Sequence, residues 1–85
     1  MEIKLEIPDY DKTAGIKYQW ETSFEITVTA GNGQVLISAN KAGLISLATQ
    51  LLTLAQDAIP AGHHLFYSEG GGLKPGSDEL TVEKV

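Results

Sequence analysis

Apolar and polar residues alternate along several short stretches of this sequence, and such alternation predicts half-buried β-strands. Residues 2–7 alternate strictly between charged and apolar side chains, and Pro8 ends the stretch because proline has no amide hydrogen for a sheet. Residues 16–20 and 24–29 alternate in the same way. They indicate either one long strand with a bulge near Thr22 or two short strands.

A tight turn is predicted at Asn32-Gly33, which separates two alternating runs. Both central residues of such a turn need positive φ, and Asn-Gly meets that need best. The pattern therefore predicts a hairpin whose second strand contains Val35, Leu36 and Ile37 and ends near Ser38-Ala39. Two more strands are predicted at residues 63–67 and 80–82, and the glycine-rich loop 69–72 between them is expected to be flexible.

Residues 41–59 carry the clearest helical pattern, with Asn40 as N-cap and Pro60 and Gly62 as the stop. One half of the helical wheel is apolar, which predicts a helix lying flat on a sheet. That half consists of Leu44, Ile45, Leu47, Ala48, Leu51, Leu52, Leu54, Ala55, Ala58 and Ile59.

The order of these elements is β-β-β-α-β-β, and it predicts an α+β fold. We expect residues 1–85 to form a single two-layer domain. Hairpins before and after one helix favour an antiparallel sheet with the amphipathic helix across one face.

The composition and charge of the chain exclude several classes of function. Six lysines, no arginine and eleven carboxylates give a net charge of −5, which argues against nucleic-acid binding because phosphate contacts need clustered basic residues. The absence of cysteine excludes disulfides and thiolate metal sites. No apolar run is long enough for a membrane span and no signal peptide is visible, so a cytoplasmic location is expected.

No catalytic, cofactor-binding or metal-binding residues are predicted. His63 and His64 are adjacent on a strand and point to opposite faces, and no zinc-ligand spacing accompanies them. The segment 70–77 lacks the lysine position and the following helix of a phosphate-binding loop. An enzyme is not expected, because so short a chain has little room for a walled pocket.

From Ala42 to Gln56 the predicted helix carries no charge, which is unusual for its solvated face, the half opposite the leucines. That half comprises Ala42, Ser46, Thr49, Gln50, Thr53, Gln56 and Asp57, of which only the last is charged. Small uncharged groups lose water at low cost, so we predict that this face contacts a partner or a second copy of the chain, with Thr49 and Thr53 as contacts.

Two stretches carry a family resemblance. The segment 37–48, Ile-Ser-Ala-Asn-Lys-Ala-Gly-Leu-Ile-Ser-Leu-Ala, and its continuation to Gln56 form the first; Gly62-His63-His64, Leu73, Gly76-Ser77 and Glu79-Leu80 form the second. Together they resemble the Immunity protein 32 (Imm32) family, small bacterial proteins predicted to act as immunity proteins in polymorphic-toxin systems. Phe66 departs from the resemblance, because it stands where the family pattern has a second histidine.

The resemblance implies a non-enzymatic protein that neutralises a cognate toxin by direct binding. The expected contacts are His64, Tyr67, Glu69, Asp78 and Glu79, and the net charge of −5 favours a basic toxin. Two alternatives stay open: a structural or regulatory homodimer built on the helix face, and a small-ligand-binding domain. The latter would use a pocket between the helix and Tyr18, Trp20 or Phe24.

Overall fold

The computed structural model describes residues 1–85 and contains one helix and five strands. In chain order these are β1 (Ile26–Gly31), β2 (Gln34–Ala39), α1 (Lys41–Leu54), β3 (His64–Glu69), β4 (Gly72–Leu73) and β5 (Leu80–Glu83). The predicted α+β class is confirmed. The single antiparallel sheet is not: β1 and β2 form one sheet and the order β4-β3-β5 forms another, in which β3 and β4 are parallel.

The β1–β2 hairpin is confirmed. Asn32 and Gly33 have φ values of 52° and 74°, as the tight turn requires. Pairing runs without a bulge from Gly31 opposite Gln34 to Ile26 opposite Ala39.

The segment before β5 covers the other edge of β1. The amide of Lys74 donates to the carbonyl of Ile26 at 2.9 Å, and the amide of Asp78 donates to that of Val28 at 2.8 Å. These bonds join the two sheets and leave β2 as the uncovered edge of the hairpin.

The strands predicted at residues 2–7 and 16–20 are wrong. Neither stretch lies in a strand, and a single bridge between Asp11 and Gly15 is the only strand-like pairing there. Alternation marks which side chains of an extended chain are buried. A strand also needs a neighbouring strand for its backbone groups, and none lies alongside these residues.

Polar side chains of α1 and the turn after it hold this N-terminal segment instead. The Gln50 side-chain amide donates to the carbonyl of Gln19 at 2.9 Å, and the Ser46 hydroxyl accepts from the amide of Glu21 at 2.8 Å. The side-chain amide of Gln56 donates to the Pro8 carbonyl at 2.8 Å. Since the segment has no strand partner, helix side chains satisfy its backbone groups.

The helix therefore turns its polar half inward, opposite to the prediction. Its buried residues are Gly43, Ser46, Thr49, Gln50, Thr53 and Leu54, whereas Leu44, Leu51 and Leu52 are exposed. The hydroxyls of Thr49 and Thr53 donate to the helix carbonyls of Ile45 and Thr49. The expectation that Thr49 and Thr53 lie on an outward face is wrong, since both are buried.

The helix begins where predicted and ends earlier. Asn40 caps it, with its side-chain oxygen accepting from the amide of Gly43 at 2.8 Å. The last helical residue is Leu54, so the predicted extension to Ile59 is wrong. The ammonium group of Lys84 donates to the carbonyls of Gln56 and Ile59, which stabilises the turn that brings both Leu54 and Ile59 into the core.

The core lies between the helix and the two sheets. It consists of Ile26, Val28, Leu54, Ile59, Leu65, Tyr67 and Leu73.

Candidate functional site

An open cleft lined by aromatic side chains lies beside β3. It has a volume of about 540 Å³ and is formed by Tyr18, Trp20, Phe24, Phe66 and the glycines 70, 71 and 72. We call it the aromatic cleft.

Trp20 lies at the centre of the aromatic cleft. Its ring stacks on Phe24 with centroids 4.4 Å apart, and Tyr18 stacks on it at 6.2 Å. The edge-to-face contact with buried Tyr67, also at 6.2 Å, ties the tryptophan to the core. The aromatic wall is therefore held rigidly, although most of it comes from a segment without regular strands.

The glycine segment forms the opposite wall. Gly72 has φ of +100°, and a Cβ at this position would overlap the ring of Trp20. The backbone approaches the indole so closely because glycine has no side chain. Gly72 belongs to β4 and Gly71 donates to the Ser68 carbonyl at 2.8 Å, so part of the loop predicted to be flexible pairs with β3.

Phe66 and Tyr18 form the rim of the aromatic cleft. Their exposed fractions are 45% and 37%. The Tyr18 hydroxyl accepts from the amide of Phe66 at 3.0 Å. This bond fixes the tyrosine against the edge of β3 and satisfies an amide that no strand pairs.

The rim continues onto the outer face of the β3–β5 ladder. Phe66 pairs with Thr81 and His64 pairs with Glu83, and all four residues are exposed. Leu65 and Tyr67 alternate with them and point inward. The predicted contact His64 thus lies on the same exposed strand face as Phe66.

Tyr67, another predicted contact, is fully buried. Its hydroxyl donates to the side-chain oxygen of Gln50 at 2.6 Å. Burial raises the pKa of the Tyr67 phenol well above its ordinary value, and the neighbouring Tyr18 adds to the rise. Tyr67 supports Trp20 from behind and has no surface of its own to offer.

The three predicted acidic contacts are exposed. Glu69 accepts from the amide of Gly76 at 2.6 Å, and Asp78 accepts from the amide of Ala30 at 2.7 Å. Glu79 forms no side-chain hydrogen bond and lies next to β5. Glu69 and Asp78 therefore order the loop between β4 and β5, while Glu79 carries a charge that no other group engages.

No lysine in the C-terminal half offers a free charge to offset these acids. The ammonium group of Lys74 lies 3.3 Å from the carboxylate of Glu25, and that of Lys84 is bound by two backbone carbonyls. Glu83 on the outer face of the β3–β5 ladder, and Glu79 just before β5, therefore carry negative charges that no lysine pairs with.

The sequence predicts Tyr18, Trp20 and Phe24 only as the wall of a possible ligand pocket. It does not predict that Phe66 and Gly72 line the same cleft. A signal for Phe66 was present, because alternation over residues 63–67 places it beside His64 on the exposed face. The contact between Gly72 and Trp20 joins distant parts of the chain, and no local pattern reveals it.

The structure contains no group of three or more His, Asp or Glu side chains placed to hold a metal ion. It also has no helix with the length and hydrophobicity needed to cross a membrane.

A family model described as Immunity protein 32 (Imm32) matches residues 34–85. No curated protein and no solved structure matches the sequence. The matched region runs from β2 to the end of β5 and supplies Phe66 and the glycine wall of the aromatic cleft. Tyr18, Trp20 and Phe24, which form the other wall, precede it.

Proposed function

The chain belongs to the Immunity protein 32 family, and we propose that it protects the cell producing it by binding a cognate toxin directly in the cytoplasm. No catalysis is needed for this function. The requirement is a rigid surface complementary to the toxin, with enough apolar area to hold it.

The exposed aromatic rim carries the proposal. Binding energy at protein interfaces concentrates in a few anchors, among which aromatic residues are enriched. Phe66 and Tyr18 present such side chains to solvent, and stacking on Trp20 holds the tyrosine in place before any partner arrives. A preordered anchor loses little conformational entropy on binding.

The shape of the aromatic cleft favours a protein segment over a small ligand. Its volume of about 540 Å³ is within the range of ligand pockets. A small ligand, however, is usually enclosed on most sides, whereas this cleft is open and continues onto the outer face of the β3–β5 ladder. An apolar side chain from a toxin can enter the cleft while the flanking toxin surface contacts His64 and Thr81.

The acidic residues favour a basic toxin. Glu69, Asp78, Glu79 and Glu83 are exposed, and the two lysines of this half of the chain, Lys74 and Lys84, are engaged. Such a charge distribution accelerates the encounter with a positively charged partner more than it strengthens the final complex. We expect the association rate to fall as salt is added.

We assign the selection of one toxin over another mainly to the N-terminal wall. Tyr18, Trp20 and Phe24 lie before the region that the family model matches. Phe66 and the glycine wall lie within it. This division allows the N-terminal wall to change without altering the common framework.

The test is co-expression with the toxin domain encoded next to this gene, followed by titration calorimetry with the purified domain. We expect the wild-type chain to restore growth and to bind the domain. Phe66→Ala should weaken binding by about 30-fold, equivalent to a loss of about 2 kcal/mol for an interface anchor.

Ile3→Ala is the matched control. Ile3 is 43% exposed, close to the value for Phe66, and it lies outside the aromatic cleft. It should leave both growth and affinity unchanged. Protection without measurable binding, or equal affinity for the wild-type and Phe66→Ala chains, would refute the proposed mode of binding.

A further inference from the structure

A second exposed apolar surface, separate from the aromatic cleft, is formed by β2 and α1. It comprises Val35 and Ile37 of β2 and Leu44, Leu51 and Leu52 of α1, and Leu36 adds an apolar side chain on the opposite face of the β2 edge. The exposed fractions of these six residues lie between 42% and 62%. We call it the β2–α1 surface. We propose that it binds a second copy of this chain, through antiparallel pairing of β2 with β2 of that copy.

The outer edge of β2 carries backbone groups without a strand partner. On β1, the backbone groups of Ile26, Val28 and Ala30 point away from β2, because they bond to the segment Lys74–Asp78. Residues directly opposite in an antiparallel pair direct their backbone groups in the same sense, both inward or both outward. The residues opposite Val28 and Ala30 are Ile37 and Val35. Their amides and carbonyls therefore point outward, to an edge that no strand covers.

This edge of β2 carries none of the features that usually protect an exposed strand. Natural proteins guard exposed strands with charged residues, prolines or bulges, because an open edge recruits further strands. The sequence of β2, Gln-Val-Leu-Ile-Ser-Ala, has no charge and no proline, and its pairing with β1 has no bulge. An uncharged edge with three large apolar side chains is suited to being covered.

The helix α1 adds exposed leucines to this surface. Val35 and Ile37 share the face of the hairpin that bears Val28 and Ile26, and α1 lies on this face. A Cβ at Gly43 would lie 2.9 Å from the Ile26 side chain and 3.1 Å from that of Ala39. Leu44 follows directly, and Leu51 lies about two turns further on the same side. The exposed leucines thus belong to the helix that packs on this face of the hairpin at Gly43.

Charge identifies the occupant. The chain has a net charge of −5, so two copies repel each other wherever their acidic surfaces meet. Lys41 is the only charged residue in β2 and α1, which makes this surface the place where a like-charged copy approaches with least repulsion. A basic toxin would gain nothing from it and is attracted to the exposed carboxylates at and before β5 instead.

The symmetry of the pairing also fits. Antiparallel pairing centred on Leu36 places Val35 of each copy opposite Ile37 of the other, so the outward amides and carbonyls bond reciprocally. Such a two-fold contact is closed and adds no further copies. A standard interface removes about 800 Å² from each partner, roughly one seventh of the 5836 Å² surface of this chain.

Light scattering on the full chain over a range of concentrations tests the proposal. We expect the wild-type mass to be that of two 9.1 kDa chains. Val35→Lys should give the mass of one chain at the same concentration, because it places a charge at the paired edge of both copies. Thr81→Lys adds the same charge at an exposed position on β5 and should leave the two-chain mass unchanged.

Hydrogen exchange keeps the test decisive if Val35→Lys disturbs folding. The amides of Val35 and Ile37 should be protected in the wild-type chain at concentrations where the mass is doubled, and should exchange rapidly on dilution. A wild-type mass of one chain at all concentrations would overturn the proposal, as would a mass that grows without limit or rapid exchange of both amides in the doubled species. None of these results depends on the toxin, so the toxin-binding proposal stands or falls separately.

Discussion

At the scale of single residues, the aromatic cleft depends on a glycine. The backbone at Gly72 contacts the Trp20 ring where any Cβ would overlap it, and its φ of +100° is itself unfavourable for other residues. Trp20, at the centre of the cleft, can therefore take its position only because Gly72 in β4 has no side chain.

Gly72→Ala should destabilise the fold by more than Gly76→Ala. Both glycines have positive φ, +100° and +88°, but nothing lies within 4 Å of a Cβ at Gly76. The control should lose about 1–2 kcal/mol for the backbone conformation alone. Gly72→Ala should lose at least about 1 kcal/mol more because it overpacks the site, and it should shift the fluorescence of Trp20, the chain's single tryptophan.

Chemical denaturation gives the two unfolding free energies, and the emission spectra report on the indole. Equal losses in the two variants, with unchanged emission from both, would mean that the glycine wall does not position Trp20.

Tyr67 gives the fold a dependence on alkaline pH. Burial raises the pKa of its phenol above the ordinary value of 10.0, so above about pH 10 the unfolded chain loses a proton that the folded chain retains. This contribution to stability is complete below that pH and is lost as the pH rises. One proton corresponds to a slope of at most about 1.4 kcal/mol per pH unit.

Tyr67→Phe removes this proton and should flatten the fall of the unfolding free energy above about pH 10. It should also lower stability at neutral pH by about 1–3 kcal/mol, because the buried oxygen of Gln50 loses its donor. Tyr10→Phe, which removes a hydroxyl that makes no hydrogen bond, is the control for the loss of a phenol oxygen. Urea titrations at a series of pH values measure both effects; parallel curves for all three chains would contradict the expectation.

At the scale of elements, α1 is the part whose orientation was unexpected. Its leucines follow a helical stripe, yet its buried side chains are mainly Ser, Thr and Gln. The burial succeeds because every hydroxyl and amide involved finds a partner: Ser46 and Gln50 in the N-terminal segment, Thr49 and Thr53 in the helix backbone. A polar side chain is buried at low cost only when it is hydrogen-bonded.

A pair of adjacent substitutions tests this orientation. Thr53 is 2% exposed and Leu52 is 49% exposed. Thr53→Lys should cost several kcal/mol or prevent folding, because it buries an unpaired charge. Leu52→Lys should change the unfolding free energy by no more than about 0.5 kcal/mol.

Thermal melts followed by circular dichroism suffice, with both changes made in the Val35→Lys chain so that association does not enter. A lower melting temperature for Leu52→Lys than for Thr53→Lys would contradict the observed orientation and would mean that the leucine half of α1 faces inward.

At the scale of the whole molecule, two surfaces of different character share one small fold. The aromatic cleft and the β3–β5 face combine apolar anchors with charge. The β2–α1 surface is apolar and almost free of charge, and it has no residue in common with the aromatic cleft. This separation allows a dimer to form without blocking the proposed toxin site.

The local elements follow from sequence wherever the signal is local. The Asn32-Gly33 turn, the Asn40 cap and the strands around Leu65 and Val82 depend on neighbours in the chain, and all appear as predicted. The net charge and the family pattern likewise need no coordinates, and the family model confirms the resemblance. The α+β class is a consequence of these elements in this order.

Tertiary structure alone decided which half of α1 faces inward and which residues form the cleft. The helical period shows which half of α1 is the more hydrophobic, but the half that is buried depends on which elements pack against the helix. Here the first 25 residues have no strand partner. Their backbone groups form hydrogen bonds with Ser46, Gln50 and Gln56 instead, so the polar half is covered and the leucines remain outside. Contacts such as that of Gly72 with Trp20 join residues far apart in the chain, and only the folded backbone brings them together.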